Sequence, residues 1–310
     1  MTLCPSSTIE ATVVIPTYPI PITAMFNFLT FSSANAYLLG YVQTSCEETA
    51  VILDILSISL PSIDHRLIVT IQTAGKGLAK LVSIIVCTMR SSYMDNIFDN
   101  YERQQVRRKE LIIILNKDNM NITQWQKKAN EYKNVSIYRV QEKDNLGKCL
   151  NFAINKANYD IIAKFDDDDY YAPRYLNEAI NALKEKSASI IGKSTSYIYF
   201  EGQKALMIFR NGNERKYRRH IKGGSLVFRK AVWDKVKFPE HLVAKSDAAF
   251  IRQCKREGYK VYSVSKYNYV CVRREDISSH TQRKSTEKYM AQCKLVCVTN
   301  DYKPIITKEF

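Results

Sequence analysis

The sequence predicts an α/β protein: a mostly parallel sheet with helices on both faces, preceded by a small β-rich domain. Three observations carry this. From residue 81 onward, short apolar runs alternate with segments of helical apolar spacing, strand then helix, repeated. Two of those runs, VSIIVCT (82–88) and LIIIL (111–115), are almost wholly apolar, as strands covered on both faces are. Residues 1–80 differ in composition, with Lys and Arg nearly absent before Lys76 and Thr, Ser, Ile, Val and Pro frequent. Runs 12–15, 50–53 and 67–71 read as short strands, and Pro16, Pro19, Pro21 and Pro61 punctuate them. Gly75-Lys76-Gly77 reads as a linker. The expected domains are 1–80, an accessory unit without a chemical constellation, and 81–310.

A length of 310 residues suits two domains. The 45% hydrophobic and 25% charged content is that of a globular protein. Net charge stands out: 46 Lys and Arg against 31 Asp and Glu give +15, which favours anionic partners. The positive charge is dense from Arg210 to Arg219 and again from Lys255 to Lys284. The eight cysteines show no CxxC and no zinc spacing, so they read as reduced thiols of a cytoplasmic protein. No secretory signal is expected. Residues 24–42 are too interrupted, by Asn27, Ser32, Ser33 and Asn35, to read as a membrane span.

Beyond the first strand, Met94, Ile97, Phe98 and Tyr101 fall at helical spacing. The 111–115 strand follows, then a helix around Trp125 and a third strand at 135–140. Leu150, Ala153, Ile154 and Ala157 mark the next apolar helix face, and 161–165 the next strand. A helix over 175–186 buries Leu176, Ala179, Ile180 and Leu183. Strands are expected at 188–191 and 196–200, with 204–210 pairing with the latter. Lys222-Gly223-Gly224-Ser225 forms a loop before a strand at 226–228. A helix spans 246–258, with Ser246 as N-cap and Gly258 as stop. Strands at 259–264 and 267–272 precede a last helix at 286–298. In such sheets ligands bind at the carboxyl ends of the strands. Thr88, Asn116, Asp118 and an aspartate cluster all fall there.

That cluster is the chemically distinctive stretch, IIAKFDDDDYY (161–171). Four adjacent carboxylates, Asp166 to Asp169, repel one another, and a divalent cation reverses that penalty. Mg²⁺ and Mn²⁺ take oxygen ligands, and Mg²⁺ is commonly held by one or two carboxylates plus substrate phosphates. Alternation along an extended chain would turn Asp166 and Asp168 to one side and Asp167 and Asp169 to the other. A solvated acidic loop is the bland alternative.

VSIIVCTMR (82–90), ELIIIL (110–115), LGKCLN (146–151), KFDDDDYYAP (164–173), KGGSLVFRK (222–230) and Ser246-Asp247 at a helix start, in that order, resemble a family 2 glycosyltransferase with the GT-A fold. The resemblance covers about residues 81–280 and extends to enzymes of bacterial cell-surface and spore-coat polysaccharides. It implies inverting transfer of a sugar from a nucleotide-diphosphate donor, UDP-linked first, to a saccharide or anionic glycopolymer acceptor. It implies Mn²⁺ or Mg²⁺ on Asp168, with Asp166 and Asp169 assisting, as a Lewis acid at the leaving diphosphate. It implies Thr88, Asn116 and Asp118 around the nucleoside and Asp247 as general base, against the plainer reading of an Asp favoured in a first helical turn, and it offers Lys148 as a second positive contact, against a surface lysine at a helix start. Gly223 and Gly224 would let backbone approach the sugars, His280 would reach the metal or diphosphate, and Tyr170 and Tyr171 would stack on sugar rings. The sequence departs from the family pattern at Asn116, where paired acids are usual, and at Ser246, where a Glu is usual. The basic surface adds an expected peripheral association with a membrane or cell envelope.

Three other readings compete. A nucleic-acid-binding protein would interleave basic and aromatic residues in one module, which the sequence lacks, so no nucleic-acid partner is expected. A binding or coat protein that kept the fold and lost activity is motivated by Asn116 and Ser246. A glycosidase needs two carboxyl groups across one sugar ring, and only the cluster plus Asp247 is available.

Overall fold

A computed structural model describes residues 81–276, 280 and 284–309. The expected β-rich domain at 1–80, with Cys4, Cys46 and the 24–42 stretch, lies outside the described residues.

The elements run in order β1 (Leu81–Thr88), α1 (Met94–Glu102), β2 (Arg108–Leu115), α2 (Ile122–Ala129), β3 (Val135–Arg139), α3 (Leu146–Asn155) and β4 (Ile161–Phe165). Then come β5 (Tyr170–Tyr171), α4 (Tyr175–Glu185), β6 (Ile190–Gly192), β7 (Ser196–Phe200), β8 (Ala205–Phe209) and β9 (Lys216–Tyr217). The chain closes with β10 (Val227–Arg229), α5 (Lys230–Lys235), α6 (Ser246–Arg256), β11 (Val261–Ser263), β12 (Tyr269–Arg273), α7 (Thr286–Met290), β13 (Cys293–Val298) and α8 (Lys303–Ile306).

An eight-stranded sheet has the order β3-β2-β1-β4-β10-β6-β11-β9. β3, β2, β1 and β4 are mutually parallel, as are β6 and β11. β10 runs antiparallel between β4 and β6, and β9 antiparallel along β11. The first four strands need both faces covered, and they have it. Ile84, Ile113 and Val86 pack under α1, α2 and α4 with Phe98, Trp125 and Leu176. Ile85, Ile112 and Ile162 pack on the other face with Leu150 of α3 and Phe250 of α6. Alternate residues of one strand thus feed two cores, which is why the runs at 82–88 and 111–115 are continuously apolar.

Register sets the site. Thr88 lies beside Leu115, so β1 and β2 end level, while Phe165 lies beside Val86, so β4 stops two residues earlier and the turn after it runs beside the end of β1. α6 is anchored by Phe250, stacked on Phe238 at 4.1 Å, and this fixes the helix that carries Asp247.

Two sequence expectations are corrected. Residues 286–298 are not one helix: α7 ends at Met290 and 293–298 form β13. The run CKLVCV has strand-favouring residues, and it pairs antiparallel with β8, closing that strand's open edge. A second sheet results, β13-β8-β7-β12-β5. Ser246 is the first residue inside α6, not its cap. Lys245 is the cap, in the left-handed region at φ 63°, with no side-chain cap bond. Gly258 does end the turn, at φ +83°. The described cysteines 87, 149, 254, 271, 293 and 297 are free thiols. Among the described residues no helix is long and apolar enough to cross a membrane.

Candidate active site

β4 ends at Phe165, and residues 166–169 form a turn. Strand alternation therefore does not govern the four aspartates, and each has its own partners. α1 fixes the turn's backbone: Asn96 Nδ2 donates to the carbonyls of Asp167 (2.7 Å) and Asp169 (3.1 Å), and Asn100 Nδ2 to that of Asp169 (2.9 Å). Buried carbonyls are thereby satisfied by side chains of a rigid helix.

Asp167 ties the turn to β1. It accepts from the Thr88 hydroxyl at 2.6 Å and from Arg90 Nε at 3.2 Å, with a second, closer Arg90 contact. Burial pushes its carboxyl up, against the pull of Arg90. Asp168 lies between two guanidiniums, Arg90 Nη2 at 3.1 Å and Arg274 Nη1 closer still. Burial alone would raise its carboxyl, but the two arginines outweigh it and the pKa is lowered. Sequence reasoning missed both arginines.

Asp166 pairs with a different cation. Its Oδ1 accepts from Lys164 Nζ at 2.5 Å, and the same ammonium is 3.3 Å from Asp247 Oδ2. Lys164 sits inside the apolar run of β4 and is 3% exposed. Burial disfavours its charge, yet Asp166 and Asp247 outweigh burial and raise its pKa. Asp247 occupies the first turn of α6, with its side chain 22% exposed and so open to a substrate. Burial raises its carboxyl; Lys164 pulls it back and Asp166 adds to the rise. Its Oδ1 is a buried acceptor without a hydrogen-bond partner among the described residues. A buried carboxylate oxygen left without a donor is an unmet hydrogen-bonding demand, the kind that a redox or catalytic role explains.

The glycine pair is explained by the same carboxylates. A Cβ at Gly223 would collide with the Asp247 carboxylate. One at Gly224 would sit 2.5 Å from Asp166 Oδ2 and 2.7 Å from Asp169 Oδ2. Tyr171 locks this turn, donating to the Gly224 carbonyl at 2.6 Å and accepting from the Asp166 N–H at 2.8 Å. Gly223→Ala is therefore expected to displace the Asp247 side chain. Displacement on the order of 1 Å lowers turnover by roughly 10²-fold. Steady-state kinetics would show that fall in kcat with nucleotide-diphosphate affinity unchanged.

Among the described residues no group of three or more His, Cys, Asp and Glu converges as an all-protein metal cage would. A hard divalent ion held by one or two carboxylates and substrate oxygens needs none. Asp166 and Asp168 fit that role: both are carboxylates at the strand end, and Asp166 is 39% exposed. Asp169 does not. Its Oδ2 accepts from Tyr269 Oη at 2.5 Å and its Oδ1 from the Val272 N–H at 3.1 Å. Burial, with Asp168 and Asp166 adding, pushes its pKa up to about 8. His280 does not fit either. Its Nε2 accepts from the Arg274 N–H at 2.9 Å, and its Nδ1 is 3.2 Å from Arg274 Nη2. Burial and the charges of Arg273 and Arg274 lower its pKa to about 4. Its hydrogen-bond link to Asp168 runs through Arg274.

The expected nucleoside residues lie at neighbouring strand ends. The Asn116 N–H donates to the Thr88 carbonyl at 2.8 Å, and its amide donates to the Gln141 carbonyl at 2.7 Å. Asp118 is on the surface and accepts from the Glu142 N–H at 3.1 Å. Lys148 is exposed on α3 and pairs with Asp144 at 2.7 Å, a surface i,i+4 pair, and not with the aspartate cluster. Tyr171 is fully buried and stacked on Phe165 at 3.6 Å, and Tyr170 packs edge-on to Tyr302. Neither ring is open to a sugar; both belong to the core.

Comparison with known proteins bears on the family and the fold. The profile described as Glycosyl transferase family 2 matches residues 83–237, half of the chain. The O-antigen biosynthesis glycosyltransferase WbnJ of Escherichia coli is 31% identical over 126 residues, which are 40% of this chain and 49% of that protein. The chain thus spans about half the length of this curated relative. S. aureus TarS 1–349 in complex with UDP-GlcNAc superposes with a TM-score of 0.50 at 17% identity, over 65% of this chain and 62% of that one. That likeness is one of fold. The mannosyltransferase PcManGT of Pyrobaculum calidifontis, in complex with GDP-Man and Mn²⁺, gives a TM-score of 0.49 at 15% identity, over 68% and 59%. The architecture is of the GT-A type, and the chain belongs to glycosyltransferase family 2.

Proposed function

We propose that the chain transfers a sugar from a nucleotide-diphosphate donor to an acceptor hydroxyl, with inversion at the anomeric carbon. The observation that carries this reading is the orphaned Oδ1 of Asp247, raised in basicity by burial and aimed by Lys164. A base must be within reach of the proton it takes and have a pKa nearer the working pH than a free carboxylate. Asp247 accepts the acceptor's proton as that oxygen bonds to the anomeric carbon. The bond from that carbon to the diphosphate oxygen breaks, and the diphosphate leaves with the electron pair. Arg90 and Arg274 are the cations placed to meet its growing charge. Asp166 and Asp168 would hold Mn²⁺ or Mg²⁺, which when bound supplies a Lewis acid to the diphosphate.

Thr88, Asn116 and Asp118 form the nucleoside end in this reading, and a UDP-linked sugar is the first donor class to test. That class is the one named for the TarS complex. The acceptor is a saccharide or glycopolymer, and the setting is the cytoplasmic face of the cell envelope.

Thermal shift and donor hydrolysis over a panel of nucleotide sugars with Mn²⁺ test the reading. UDP-linked donors should raise the unfolding temperature of the wild type and be slowly hydrolysed. Asp168→Ala should lose the metal-dependent shift. A wild type indifferent to every donor, or an Asp168→Ala variant that keeps the shift, would contradict it.

A further inference from the structure

A cleft of about 910 Å³ opens where β9 and β11 end the larger sheet. Arg210, Arg218, Arg219, His220, Lys255 and Lys260 line it, and no carboxylate does. The two basic runs of the sequence meet here. β9 pairs antiparallel with β11, with Tyr217 beside Tyr262, and α6 delivers Lys255 in its last turn. Among the described residues Arg210, Arg218, Arg219, Lys255 and Lys260 form no ion pair. Arg218 Nε is buried in the protein and has no hydrogen-bond partner among the described residues.

Like charges crowded into a concavity repel, and a buried guanidinium donor left unpaired is costly, so folding alone does not favour this lining. Oxyanions relieve both. The guanidinium fork matches carboxylate and phosphate oxygens, and a concave cleft strengthens the attraction.

The cleft is also tied to the reacting groups. α6 carries Asp247 in its first turn and Lys255 in its last, and eight residues at about 1.5 Å each put them roughly 12 Å apart along the helix. The segment after β9 carries Arg218, Arg219 and His220 and then Gly223, which touches Asp247. One helix and one loop therefore join the cleft to the base.

We propose that this cleft is an acceptor subsite for a glycan chain bearing oxyanionic groups, phosphate or carboxylate, held about one helix length from Asp247. The inference rests on the glycosyltransferase reading, and names the acceptor class for it. Fluorescence anisotropy with labelled inorganic polyphosphate and with polygalacturonate, on the full chain, tests it. The triple variant Arg219→Gln, Lys255→Gln, Lys260→Gln alters exposed or half-buried side chains outside the catalytic groups. It should bind the preferred polymer at least about tenfold more weakly, since each lost cation removes an electrostatic contact. Its unfolding temperature and donor hydrolysis should be unchanged. A control triple at exposed Lys127, Lys235 and Lys294 should keep wild-type affinity.

Whichever polymer binds more tightly identifies the oxyanion. Equal weakening in the control would show diffuse charge and overturn the subsite. So would absence of binding to both polymers. Binding of phosphatidylglycerol vesicles lost in the triple variant while polymer binding persists would assign the cleft to a membrane surface and also overturn it. Loss of donor hydrolysis in the wild type with polymer binding intact would instead strike the glycosyltransferase reading alone.

Discussion

Asp247→Asn lowers the turnover of sugar transfer by about 10²–10⁴-fold, the range associated with a positioned general base. Donor binding stays at the wild-type level, because Asn keeps the shape of the side chain that packs against Gly223. Single-turnover transfer and donor titration separate the two effects. The pH profile carries the same signature. The carboxylate must be unprotonated to accept a proton, and burial raises its pKa above the ordinary aspartate range. Activity therefore falls as pH drops through that raised value, and the acid limb of kcat/KM lies higher than for an exposed aspartate. In Asp247→Asn that limb disappears. Loss of donor affinity with kcat retained would show that Asp247 holds the donor.

Lys164→Met removes the cation shared by Asp166 and Asp247. Breaking a buried pair leaves uncompensated charge and costs about 3–5 kcal/mol. Asp166 is 39% exposed, so water screens part of this and the low end, about 3 kcal/mol, is expected. Urea unfolding at neutral pH reads it directly. The folded-state pKa of Lys164 is raised, so its stabilisation is complete below the ordinary lysine pKa of about 10.4. It is lost only as pH climbs through the folded value, and neutral pH therefore reports the full effect. Because Lys164 pulls the Asp247 pKa down, the variant's acid limb moves to higher pH. A residue that merely filled space would change stability and leave that limb in place.

Lys164 also shows what the sequence made visible and what it hid. The run IIAKF read correctly as a buried strand, ending where the aspartates begin. A lysine inside such a run is expensive to bury and calls for a carboxylate partner, a signal present in the sequence but unused. Asp166 is two residues away, but Asp247 is reached only through the fold. Arg274 contacts Asp168 across a separation of 106 residues, with no local pattern to announce it. Arg90 lies two residues past Thr88 and was within reach of the argument. The parallel half of the sheet was legible because strands covered on both faces leave continuous apolar runs. In the second sheet the pairing of 204–210 with 196–200 was legible, but β13 was not, because CKLVCV at 293–298 is mostly exposed and is organised by pairing with β8 rather than by its own periodicity. Gly223 and Gly224 stand out in the sequence as glycines for close backbone approach, and in the fold they make room for carboxylates of the protein itself.

A crystal structure of the full chain with UDP and Mn²⁺ and a bound acceptor saccharide is the decisive measurement. The diphosphate should lie against Arg90 and Arg274 beside Asp168, with an acceptor hydroxyl within hydrogen-bond distance of Asp247 Oδ1. A diphosphate bound elsewhere, with Asp247 Oδ1 still lacking a partner, would contradict the assignment of base and leaving-group site alike.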